Sequence, residues 1–97
     1  MANICSNEFY ASSIDNSNLE FIAKFLEENL DADVYSWESD FLEAYFDSKW
    51  TFPESLMEEL YNGIPNKEDI YIRCLSVEYG NLYHALWVCD EDGWSEV

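Results

Sequence analysis

Between Leu42 and Trp50 the chain alternates without a break: Leu42, Ala44, Phe46, Ser48 and Trp50 on one phase, Glu43, Tyr45, Asp47 and Lys49 on the other. Successive side chains of a strand point to opposite faces, so this stretch reads as a β-strand with one packed face and one charged face. A different period precedes it. Leu19, Ile22, Ala23, Leu26 and Leu30 recur at helical spacing, with Glu20, Lys24, Glu27, Glu28 and Asp31 off the stripe. A helix is therefore predicted near 17–30, opened by the capping-box spacing Ser17-Asn18-Leu19-Glu20.

The remaining elements follow from the same two periods. Ile4 to Ala11 is an expected strand, followed by the turn-like Ser12 to Asn16. Val34, Tyr35 and Trp37 mark a strand that connects to the alternating one through Glu38-Ser39-Asp40. Thr51-Phe52-Pro53-Glu54 has capping-box spacing with Pro in the first turn, and Leu56, Met57, Leu60 and Tyr61 continue a second helix near 53–62. Gly63 and Pro65 are read as its stop. Asp69 to Val77 and Leu82 to Cys89 are strands joined at Tyr79-Gly80-Asn81, and Asp90 to Gly93 is a polar turn before a frayed end. The order β-α-β-β-α-β-β implies an α+β fold, ferredoxin-like with an extra C-terminal strand. Its two helices would cover one face of a four- or five-stranded antiparallel sheet, burying Leu19, Ile22, Leu26, Leu56, Leu60, Phe46 and Ile72. The other face has to be polar or covered by a partner.

Charge then narrows the function. The 97 residues make a single domain, 48% hydrophobic and 18% aromatic, too apolar for a disordered tail. Yet 21 acidic residues face only Lys24, Lys49, Lys67 and Arg73, a formal charge of −17. Self-repulsion at that level opposes compaction, and about 2–8 net charges suffice to keep a small domain soluble. Such a chain is repelled by nucleic acid and by anionic membranes, and attracted to basic grooves. Neither direct nucleic-acid binding nor a membrane partner is expected. No apolar run approaches a membrane span of roughly 20 residues, and the opening lacks a signal-peptide pattern, so a cytoplasmic protein is expected. Cys5, Cys74 and Cys89 share no short spacing; three buried, free thiols are expected rather than a disulfide framework or a zinc site.

The opening Met1 to Asn7, the acidic helix, Phe46-Asp47-Ser48-Lys49-Trp50-Thr51-Phe52-Pro53 and Val77-Glu78-Tyr79-Gly80 together resemble the small ferredoxin-like proteins carried by bacteriophages and plasmids. The chain departs from them at Ile4, where such proteins usually carry a tryptophan early in the first strand. The resemblance implies the fold and a mobile-element origin, hence a bacterial host cytoplasm. It brings no catalytic residues with it.

No catalytic, cofactor or metal site is expected. His84, the single histidine, lies in strand phase with Leu82, Leu86 and Val88, where a buried or rim histidine is the bland reading. No G-x-S-x-G elbow accompanies it. Asp90 to Glu96 gathers four carboxylates around Gly93, without the alternate spacing of a calcium loop. The carboxylates themselves are the signal. Side chains two apart on a strand share a face at roughly 6.6–6.8 Å, which suits Glu38 with Asp40 and places Glu43 and Asp47 either side of Tyr45. Glu54, Glu58 and Glu59 add a second acidic group on the second helix. Duplex DNA carries one negative charge per roughly 1.7 Å, so spaced carboxylates can compete with it for a DNA-binding groove on another protein. Tyr35, Trp37, Tyr45 and Tyr71 would supply aromatic anchors. The expected function is a non-catalytic inhibitor, anti-CRISPR or anti-restriction, that blocks the basic DNA-binding groove of a Cas effector or restriction enzyme. The alternative is a homo-oligomeric structural or adaptor protein whose open sheet pairs with a second copy. Gathering of the carboxylates on one face would favour the first.

Overall fold

Alternate residues of the central strands meet the helices, and the other half meets solvent. In the computed structural model, which describes residues 3–80 and 82–97, the chain runs β1 (Ile4–Ser12), α1 (Asn16–Leu30), β2 (Asp33–Trp37), β3 (Phe41–Lys49), α2 (Glu54–Gly63), β4 (Tyr71–Glu78), β5 (Tyr83–Asp90) and β6 (Gly93–Glu96). The six strands form one sheet in the order β2-β3-β1-β4-β5-β6, every neighbouring pair antiparallel. The protein is α+β, and its order of elements is compatible with the expected ferredoxin-like layout.

Register places the core. Phe9 lies opposite Ala44 and Cys74, and Ala11 opposite Leu42 and Ile72, so these residues share a face. They cluster with Phe46 and with Leu19, Ile22 and Leu26 of α1 and Met57 and Leu60 of α2. Each fully buried side chain of this size contributes roughly 1.5–3 kcal/mol. Six of the seven expected core residues are buried; Leu56 is partly exposed because Met57 takes the inward position on α2.

Both helix starts differ from the capping-box expectation. Asp15, two residues before Ser17, caps α1: its Oδ1 accepts from the Ser17 amide at 3.0 Å and the Ser17 hydroxyl at 2.6 Å. The helix thus starts two residues earlier than the capping box implies, and the Ser17 hydroxyl, donating to the Asp15 carboxylate, supports the cap instead of forming it. Asn18 turns inward instead, donating to Asn66 O and Asp69 O and accepting from the Asn66 amide, which ties the start of α1 to the segment before β4. α2 begins without a side-chain cap after Pro53. Gly63 acts in packing rather than as a left-handed stop. A Cβ there would overlap the Phe21 ring, so the missing side chain lets the two helices approach.

The largest correction is at the C-terminus. The residues expected to fray form β6, which pairs with β5 through Cys89↔Trp94 and Trp87↔Glu96. Trp94 rests edge-on against Phe52, which stacks on Trp87 at 4.6 Å, and the Trp94 Nε1–H donates to Met57 O at 2.8 Å. Aromatic burial holds a strand that its turn-like sequence conceals. The β4–β5 connection expected at Tyr79-Gly80-Asn81 is made there, with Asn81 itself outside the described residues.

Candidate functional site

The half of each strand that avoids the helices forms an uncovered face, and its register brings distant residues into rows. Glu43, Tyr10, Arg73 and Val88 make one row; Tyr45, Glu8, Leu75 and Leu86 the next; Asp47, Ser6, Val77 and His84 a third. The β2, β3 and β1 side of the face is aromatic and acidic. The β4 and β5 side carries an apolar patch beside Arg73 and His84, with Leu75, Tyr79 and Leu82 exposed around a hollow of about 560 Å³.

The acidic side is internally ordered. Tyr45 donates its hydroxyl to Asp47 Oδ1 at 2.9 Å and lies 3.0 Å from Ser6 Oγ. The Arg73 guanidinium sits 4.2 Å from the Tyr10 ring centroid, and Phe41 stacks on the same ring. β2 shifts register between Val34 and Ser36, a bulge at Tyr35. Bulges re-aim side chains, and here Tyr35 reaches over the sheet to donate to Glu8 Oε2 at 3.4 Å. Partial burial pushes the Tyr35 hydroxyl above its ordinary pKa, with the Glu8 and Glu43 charges acting in the same direction. Two of the four cations are engaged away from carboxylates: Arg73 on Tyr10, and Lys67 with Nζ donating to Asn62 O and Ile64 O at the end of α2.

The eight candidate residues do not converge. Glu43, Tyr45 and Asp47 lie on the uncovered face. Glu38 and Asp40 are exposed in the β2–β3 turn at its margin. Glu54, Glu58 and Glu59 are exposed on α2, in the layer behind the sheet. Among the aromatics, Tyr35, Tyr45 and Tyr71 belong to the uncovered face, whereas Trp37, paired with Leu42, leans toward Ala23 and Lys24 of α1. Sequence reasoning missed Glu8, Tyr10, Arg73 and Leu86. The first two were readable as the phase of β1 opposite Phe9 and Ala11; the β2 bulge had no local signal.

His84 is exposed opposite Val77. The turn carboxylates serve the last hairpin: Asp90 Oδ1 accepts from the Asp92 amide at 2.9 Å, and Tyr61 donates to Glu91 O at 2.7 Å. Among the described residues no group of three or more His, Cys, Asp or Glu could hold a metal ion, and no helix is long and apolar enough to cross a membrane. All three cysteines are free and buried, as expected. Comparison with protein families, with characterised proteins and with solved structures yields no match.

Proposed function

We propose that the protein is a non-catalytic inhibitor of the mobile-element type, with a ferredoxin-like fold extended by β5 and β6. It docks its uncovered sheet face onto the basic nucleic-acid groove of a host defence protein, a Cas effector or a restriction enzyme. The observation that carries this reading is the composition of that face: Glu8, Glu43 and Asp47 interleaved with Tyr10, Tyr35 and Tyr45, beside an exposed apolar strip. Carboxylates on a rigid sheet offer a basic groove the charge it evolved to meet, and tyrosines supply apolar contact at low entropic cost. The acidic residues of α2 sit behind the sheet, a scatter that favours the adaptor alternative; in the inhibitor reading they act at a distance, raising the association rate rather than touching the partner.

The test is selective charge reversal. Bait protein is used to capture partners from bacterial lysate, and those that bind nucleic acid are identified by mass spectrometry. The double variant Glu43→Lys with Asp47→Lys should lose them, while Glu54→Lys with Glu58→Lys should retain them with slower association. Equal loss from both variants would place the interaction in the overall charge and not on this face.

A further inference from the structure

Where the Tyr35 side chain of edge strand β2 reaches over β3 toward Glu8 of β1, the uncovered face dips into a groove of about 370 Å³. Tyr35, placed there by the bulge, forms one wall and Leu86 lies at the opposite side; Glu8 and Glu43 supply carboxylates, and Arg73 lies against Tyr10. The molecule thus already holds one guanidinium on one tyrosine of this groove. The second tyrosine, Tyr35, is half exposed, and the two carboxylates outnumber the single cation. We infer that this groove receives an arginine side chain presented by the partner, its guanidinium lying against the Tyr35 ring and pairing with the Glu8 and Glu43 carboxylates.

The chemistry selects this occupant. A planar guanidinium can pair with a carboxylate and stack on an aromatic ring at once, which a lysine ammonium does less well. A metal ion finds no cluster of three ligands among the described residues. A second copy of the chain would bring another charge of −17 toward the same carboxylates. A basic partner brings the complementary sign. The inference rests on the reading of the uncovered face as the docking surface, and it adds the identity of the side chain received.

The probe is a capped Gly-Arg-Gly tripeptide, titrated into isotopically labelled full-length protein at physiological salt and followed by amide chemical shifts. Its neutral isostere, with citrulline in place of arginine, and the lysine peptide serve as comparisons. The arginine peptide should move amides of β1, β2 and β3 around Glu8, Tyr35 and Glu43, more strongly than lysine, and citrulline should move them least. Glu43→Gln should weaken the arginine response by roughly threefold to fivefold, the range of one partly exposed ion pair. Glu27→Gln, which removes the same charge from α1, should leave it unchanged. If Glu43→Gln disturbs the amides of core Leu26 and Leu60, Glu8→Gln carries the same expectation. Shifts spread equally over α1 and α2, or an equal response to citrulline, overturn the inference. So does a dimer by sedimentation whose interface already shields Tyr35. A partner that ignores duplex DNA would sink phosphate mimicry and leave the groove standing; a diffuse peptide response would do the reverse.

Discussion

Cys74 and Cys89 show how burial sets chemistry at single residues. Loss of water pushes both thiols up to about 12, from an ordinary 9.0, and it raises Cys5 as well. The sign of the consequence follows. The folded state holds these protons more tightly than the unfolded chain, so their stabilising contribution is complete below pH 9.0 and falls away as pH climbs toward about 12. Urea midpoints should therefore be flat from neutral pH to about 9 and then decline, and thiol reagents should label the native protein slowly. Rapid labelling, or a flat midpoint to pH 11, would contradict the burial. Two indoles offer a sharper comparison. The Trp94 N–H is bonded to Met57 O, whereas the Trp87 N–H is buried with no hydrogen-bond partner among the described residues. Trp87→Phe removes an unpaired donor and Trp94→Phe a paired one, so the second should be more destabilising by about 1 kcal/mol in urea denaturation. His84→Ala, at an exposed site, should leave stability near wild type.

Elements were legible wherever one period ran for eight or more residues. α1 and β3 could be read from spacing alone, because a helix stripe and a two-residue alternation each bury one side. β6 could not, since four residues carry too little pattern and its hold comes from Phe52 and Met57, distant in sequence. Its hairpin turns through Glu91 and Asp92 into Gly93, whose φ of +97° is open to glycine at little cost. Gly93→Ala should therefore destabilise by roughly 1 kcal/mol, measured by thermal or urea unfolding. Deleting Gly93 to Val97 should cost more, through exposure of Phe52, Trp87 and Met57, and should lower the unfolding cooperativity. An undisturbed midpoint after deletion would show that β6 is an ornament of the sheet. The β2 bulge escaped for a different reason: a bulge is a property of the pairing, and β2 pairs with β3 through the partly buried Val34 opposite the buried Ala44.

At the scale of the whole molecule, the acidity was legible and its layout was not. A charge of −17 is a sum over residues, whereas the sorting of carboxylates between the sheet face, the β2–β3 turn and α2 depends on which strands become neighbours. Glu8 and Glu43 are 35 positions apart, yet both flank the groove at Tyr35 because β1 pairs with β3. The sheet-face set and the α2 set are separated by the core, so the proposed docking would engage the first and leave the second to steer. Salt should accordingly weaken partner binding steeply, because exposed charges are screened over about 8–10 Å at physiological ionic strength. The most direct measurement takes a captured partner and asks whether it holds this protein and duplex DNA together. Carboxylate mimicry of phosphates requires exclusion: saturating duplex DNA should displace the protein, and the protein should displace DNA, with matching concentration dependence. A ternary complex of partner, DNA and protein would contradict the account and give the uncovered face to an adaptor role.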